Sequence, residues 1–454
     1  MQVRWVVIVS VGILIAVGLG TVGAVFMLEE PQRKKASVKL EKKENVQDGK
    51  GGSSVGSKGS KTETKRDKRE SSRDRERKVA GTIPKPNATK PPNIRLRRQE
   101  FEENEVVVAN PRDGFASRVA TLGFFIVEET RLKNLNITSV RLTVPTGMTP
   151  PEATQLLLRE FPGLITDVNT VYDQSAGPAV KTHSFARWAI GWPPSGPGCG
   201  KGVKLGMIDS PVDTKHPALK GQKVTFKWFH NKERKPGNAN HGTAVAAMMV
   251  GKPSEDGFGG ILPEAQLFAA NMFEVNDRGK TIGNAMGLLK SLDWLSTQKP
   301  HAINLSVAGN NNKVIQLAFK KARELKLVMI AAAGNWSVEK PAYPAAFKDV
   351  LAVTAVGDKM KIYRKANRGD YIDFAAPGVR LWTAVPGGGK YQTGTSFASP
   401  YIAALAGLAI ANGIKADPAS LRGIFKKNVL DLGDPGKDKT YGYGYVHLKQ
   451  KCGK

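Results

Sequence analysis

From Trp5 to Leu28 the chain runs 24 residues without an ionisable side chain. As a helix this run would span about 36 Å at 1.5 Å per residue, enough for a hydrocarbon core of about 30 Å. It predicts an N-terminal transmembrane helix over residues 1–30. Two readings are open: an uncleaved signal anchor, which the length favours, or a signal peptide cut after Ala24. Apolar positions then thin out until Phe101. Beyond it Glu105–Ala109, Leu122–Glu128, Val140–Val144 and Asp167–Tyr172 read as strands, and Gly114–Thr121 and Pro151–Phe161 as helices. The order βαββαβ is the split-βαβ arrangement of a small α+β domain, placed over 101–178. From near Cys199 the runs VKLGMI, QLFAANMF, AINLSV, LVMIAAAG and VLAVTAV are apolar and nearly continuous. Strands covered on both faces look like this. The segments His241–Val250, Thr281–Thr297 and Asn312–Leu325 read as helices between them. That alternation predicts an α/β domain over 190–454, with a parallel sheet flanked by helices and right-handed crossovers. Its chemistry should gather at the carboxyl ends of the strands.

Charge changes the picture only once it is located. The 454 residues carry a formal net charge of +28, which taken alone points to anionic partners. Residues 31–100 hold 22 Lys and Arg against 9 Asp and Glu, close to half of the surplus. The same stretch is poor in aromatics, rich in Ser and Gly, and ends in a proline cluster. It predicts a disordered basic linker, because it buries too little apolar surface to offset chain entropy. No specific nucleic-acid partner is expected, since aromatics for base stacking are missing. Positive charge just after the apolar run argues against moving the C-terminal side across a membrane. Long hydrophilic segments nevertheless cross, and export is favoured. Two cysteines exclude a disulfide-dense miniprotein and a cysteine-based zinc scaffold.

Four fragments carry candidate chemistry. Gly394-Thr395-Ser396-Phe397-Ala398-Ser399-Pro400 precedes an apolar helix, with Pro400 expected in its first turn. Ser396 would then lie at a helix amino terminus, where free N–H groups favour developing negative charge; it could equally be a helix cap. A serine nucleophile needs a base, and His241 opens a predicted helix in Asn240-His241-Gly242-Thr243. The base needs an acid to orient it. Asp209 ends the strand VKLGMI, with Asp213 as local competitor. Asn335, in Ala333-Gly334-Asn335 after another strand, could donate to an oxyanion. Donors of that kind are worth on the order of 3 kcal/mol of barrier each.

Together, Ile208-Asp209-Ser210, His241-Gly242-Thr243, Ala332-Ala333-Gly334-Asn335 and the Ser396 fragment resemble the subtilisin-like serine peptidases, over about Lys201 to Leu448. The resemblance implies a subtilisin-like α/β fold and a serine endopeptidase working through an acyl-enzyme. Asp209, His241 and Ser396 would be its triad and Asn335 its oxyanion donor. Ser306, Val307 and Gly309, in Ile303-Asn304-Leu305-Ser306-Val307-Ala308-Gly309, would bind a protein or peptide substrate by strand addition. The alternative is a catalytically weak or inactive peptide-binding protein. Pro211 stands where the family usually has Gly, so the loop beyond Asp209 is expected to be reshaped. Ala244 and Tyr401 replace histidines common elsewhere in the family. No cofactor is required; calcium is the one ion the resemblance admits, and no local run of oxygen ligands identifies a site. The small, ferredoxin-like domain takes on the look of an inhibitory propeptide. Its tail would fill the cleft until cut between Tyr172 and Ile190, making the chain a zymogen with an intramolecular inhibitor. Export, periplasmic or extracellular, would favour a Cys199–Cys452 bridge, worth roughly 4 to 5 kcal/mol in the chain-entropy model. The expected location is membrane-anchored with the catalytic domain exported, or secreted after signal cleavage.

Overall fold

The computed structural model describes residues 100–174, 199–253 and 259–447. In Phe101–Ala109 (β1) the side chains alternate between faces, so Val106 and Val108 share one and are fully buried. Then come Phe115–Thr121 (α1), Phe125–Leu132 (β2), Ile137–Thr143 (β3), Pro150–Glu160 (α2) and Ile165–Gln174 (β4). The strands are antiparallel in the order β2-β3-β1-β4. Phe115, Val119, Ala153 and Leu157 of the two helices close over Val106, Val108, Val140 and Leu142. A capping box starts α2: the Thr149 N–H and hydroxyl both donate to Glu152, at 2.9 and 2.7 Å. These bonds hold the Glu152 carboxyl below its usual pKa. The expected βαββαβ order is present, with one strand shifted. Leu122 and Gly123 close the turn after α1 through Val119 and Ala120, so β2 starts at Phe125 rather than Leu122.

The following elements are Lys204–Asp209 (β5), Val224–Trp228 (β6), Asn240–Val250 (α3), Gln266–Asn271 (β7), Phe273–Val275 (β8) and Thr281–Asn284 (β9). Next are Ala285–Gln298 (α4), Ala302–Leu305 (β10), Val307–Ala308 (β11), Lys313–Glu324 (α5), Met329–Ala332 (β12) and Val350–Val356 (β13). Phe374–Pro377 (β14), Leu381–Val385 (β15), Gly388–Gln392 (β16), Thr395–Ala411 (α6), Pro418–Lys426 (α7), Val429–Leu430 (β17) and Tyr445–Val446 (β18) complete the series. A nine-stranded sheet runs β17-β18-β14-β13-β12-β10-β5-β7-β6. From β14 to β6 every neighbouring pair is parallel. Its apolar strands are nearly continuous because both faces are covered. Leu205, Met207 and Ile330 enter one core with residues of α3 and α6. Ile208, Ile303 and Met329 enter the other with residues of α4 and α5.

The expected helix over Thr281–Thr297 is corrected in its first turn. Residues 281–284 form β9, antiparallel to β8 and to β4. The helix begins only at Ala285, where the Asn284 side chain accepts the Gly287 N–H at 2.9 Å. Backbone groups that a helix would have kept to itself go to neighbouring strands.

Strand β4 joins the two parts. Its end lies between β9 and β11, pairing Val171 with Asn284, Tyr172 with Gly283, Asp173 with Ala308 and Gln174 with Val307. The predicted transmembrane helix, the basic linker apart from Glu100, the cleavage window after Gln174, and Cys452 all lie outside the described residues. Among the described residues no helix is long and apolar enough to cross a membrane. Cys199 is disulfide-bonded.

Candidate active site

Asp209 is the last residue of β5 and is completely buried. Its Oδ1 accepts the Ser210 N–H at 2.7 Å and lies 2.6 Å from Nδ1 of His241. His241, second residue of α3 and 4% exposed, places Nε2 3.0 Å from Oγ of Ser396. An acid, an imidazole and an alcohol from three separated segments thus stand in one line. Gly242 permits the approach: a Cβ there would collide with the carbonyl oxygens of Ser210 and Pro211. Its N–H donates to the Ser210 hydroxyl at 2.8 Å, fastening the Asp209 loop to the start of the helix. The competing Asp213 is a turn residue. Its carboxylate accepts the Lys215 N–H at 3.0 Å, and its own N–H donates to the Thr243 hydroxyl.

Ser396 is the second residue of α6, after Gly394 at φ 153°, a conformation that favours glycine. Gly394 donates its N–H to the carbonyl of Gly378 at 2.8 Å, so the Ala376-Pro377-Gly378 stretch braces the turn. Pro400 was expected in the first helical turn; it is the sixth helical residue and lies in the second. Having no N–H, it leaves the Ser396 carbonyl without its usual partner four residues on. The Ser306 hydroxyl takes that place at 2.9 Å and is itself oriented by the Asn304 amide at 2.8 Å. Ser306, expected at the substrate, therefore spends its side chain on the scaffold of the nucleophile. Asn304 and Thr395 are functional neighbours that the motifs did not single out. A count of which carbonyl Pro400 orphans is the signal that could have found Ser306's role.

Asn335 follows β12 after a short turn. Its Oδ1 accepts both the N–H and the hydroxyl of Thr395, at 3.1 and 3.0 Å. The Thr395 hydroxyl in turn accepts the Gly334 N–H at 3.1 Å. The Asn335 side chain is thereby fixed beside the helix amino terminus that carries Ser396.

Val307 and Gly309 border the groove occupied by residues 171–174. Val307 pairs with Gln174, and Gly309 exchanges hydrogen bonds with Tyr343 at 2.8 and 3.0 Å. A Cβ on Gly309 would come within 2.5 Å of the Tyr172 ring, which is buried. Burial, with Asp167 nearby, pushes the Tyr172 phenol far up, so it stays neutral. Away from the groove, Arg234 bridges Glu102 of β1 at 2.8 Å and Glu274 of β8 at 2.9 Å. The Asn312 amide donates to the Val168 carbonyl at 2.9 Å. Among the described residues no cluster of three His, Cys, Asp or Glu could hold a metal ion, and calcium enters no step below.

A family model described as the subtilase family matches residues 200–444. The chain is 32% identical over 257 residues to the minor extracellular protease Epr of Bacillus subtilis (strain 168), covering 56% of this chain and 39% of Epr. It is 28% identical over 259 residues to subtilisin E of the same organism, covering 55% of this chain and 65% of that one. It thus spans less than two thirds of either relative. Fervidolysin from Fervidobacterium pennivorans, described as a keratinolytic enzyme related to subtilisin, superposes with a TM-score of 0.63. That likeness has 21% identity, covers 77% of this chain and 61% of fervidolysin, and bears on the fold alone.

Proposed function

Because this chain belongs to the subtilase family, we propose that it is a serine endopeptidase with Asp209, His241 and Ser396 as its triad. The observation that carries the reading is the unbroken line of contacts at 2.6 and 3.0 Å. In the proposed reaction Ser396 Oγ attacks the scissile carbonyl while its proton passes to His241 Nε2. Asp209 holds the imidazole in the required tautomer and stabilises its cation. The oxyanion is met by the Asn335 amide and the Ser396 N–H at the start of α6. Nε2 then gives its proton to the leaving amine, and water resolves the acyl-enzyme along the same path.

The substrate is a peptide segment in extended form. Support comes from β4, whose end lies as a strand between β9 and β11. By the same token residues 101–178 act as an intramolecular inhibitor, released by a cut between Tyr172 and Ile190. Export fits the name of Epr, an extracellular protease. The apolar run Trp5–Leu28, as anchor or cleaved signal, rests on the sequence by itself.

A fluorophosphonate probe tests the assignment on protein that has lost its N-terminal unit. Labelling of the wild type at Ser396, absent from Ser396→Ala, is the expected result. A mature, folded protein that stays unlabelled would instead be a peptide-binding member without catalysis.

A further inference from the structure

The turn that carries Asn335 is gripped by one side chain from another segment. Asn367 is completely buried. Its Oδ1 accepts the N–H of Trp336 at 2.9 Å, and its own N–H donates to the Gly334 carbonyl at 2.9 Å. One residue thus holds the peptide groups on both flanks of Asn335. The packing between them is close. Gly334 sits at φ 96°, and a Cβ there would come within 2.6 Å of the Asn367 amide nitrogen. Tyr371 adds a third hold, donating its hydroxyl to the Ala333 carbonyl at 2.7 Å. Burial pushes that phenol up, against hydrogen bonding from Asn367, so it remains a donor at any working pH.

We propose that Asn367 is a positioning residue for catalysis, fixing the turn 333–336 so that the Asn335 amide meets the oxyanion. Thr395 sets the orientation of the Asn335 side chain, and Asn367 sets the height and tilt of the backbone from which it springs. Complete burial keeps the Asn367 side chain away from substrate, so its effect passes through Asn335. The proposal rests on the reading of Asn335 as oxyanion donor. Rates fall steeply when a preorganised donor moves by a fraction of an ångström, because the gain comes from geometry set before the reaction.

A double-mutant cycle tests it, with hydrolysis of a peptide p-nitroanilide normalised to fluorophosphonate-titrated sites. Asn335→Ala is expected to lower kcat by about 10²-fold or more. Asn367→Ala should lower kcat about ten-fold with KM within about two-fold, and should cost less than about two-fold once Asn335 is already alanine. A similar loss in both backgrounds overturns this inference alone, as does a rise in KM with kcat unchanged. No loss from Asn335→Ala overturns the oxyanion reading and this inference with it. If Asn367→Ala does not fold, Asn367→Asp, which keeps the acceptor for Trp336, goes through the same cycle with coupling as the readout.

Discussion

Gly242 is a residue defined by what surrounds it. The Ser210 and Pro211 carbonyl oxygens fill the space of a Cβ, so any larger side chain must push the Asp209 loop off the start of α3. Gly242→Ala is therefore expected to lower kcat/KM by about 10², the scale of an ångström-sized misplacement of reacting groups. The circular dichroism spectrum should stay unchanged. Steady-state kinetics on a peptide substrate check this, and a rate equal to wild type would mean that the loop yields freely. Asp209→Asn keeps the shape but loses the carboxylate that fixes the His241 tautomer, and kcat is expected to fall by about 10⁴. A loss below ten-fold would show that Asp209 is not the orienting acid. At this scale Asp209, His241, Asn335 and Ser396 were legible as candidates because each is a reactive residue type beside a diagnostic neighbour, and the structure brings Asp209, His241 and Ser396 within hydrogen-bond reach. The sequence assigned Ser306 to substrate binding without its bond to the Ser396 carbonyl, and it was silent on Asn367. Their parts follow from a carbonyl that Pro400 cannot serve and a turn that needs holding, and neither need is written next to them in the chain.

The strand β4 is held by pairing on both sides, and Tyr172 is its buried anchor. Truncating a buried aromatic costs about 3 to 5 kcal/mol, here drawn from the contact between the N-terminal unit and the groove. In full-length protein Tyr172→Ala should shorten the lag before hydrolysis of an added peptide substrate begins. A lag as long as that of the wild type would mean that this strand does not hold the enzyme shut. The same strand explains where element prediction stopped. Apolar runs identified β5, β7, β10, β12 and β13, because a strand covered on both faces needs no partner to look like one; they missed the largely exposed edge strand β6 and the four-residue β14. They could not separate β9 from α4, since Thr281–Asn284 is held as a strand by a hairpin with β8 and by pairing with β4, which is distant in sequence. Pairing with β4 is a property of two segments, and only one of them lies in any window.

Across the whole molecule, the bond between the N-terminal unit and the α/β domain has a second anchor of a different kind. Arg234 stands between two buried carboxylates, Glu102 at 4% and Glu274 at 0% exposure, with Asp277 3.7 Å away at the surface and Glu105 acting on Glu102 from the same strand. Glu274 has other partners in the Asn231 N–H and the Asn284 amide. Burial raises the pKa of Glu102 above its ordinary value even against Arg234. A carboxyl raised on folding contributes stability that is present below its unfolded pKa, near 4.5, and lost as pH climbs through the folded value. Removing the guanidinium strengthens that trend, because nothing then offsets the charge that burial disfavours. In a Ser396→Ala background, which prevents self-cleavage, Arg234→Met should destabilise the full chain by about 3 kcal/mol or more at pH 8. At pH 5 the penalty should be clearly smaller, since Glu102 can take up a proton rather than stay charged and unpaired. Urea unfolding at both pH values measures it. An equal penalty at pH 5 and pH 8 would mean that Arg234 stabilises through the packing of its stem, and that the clamp on the N-terminal unit does not sense protons.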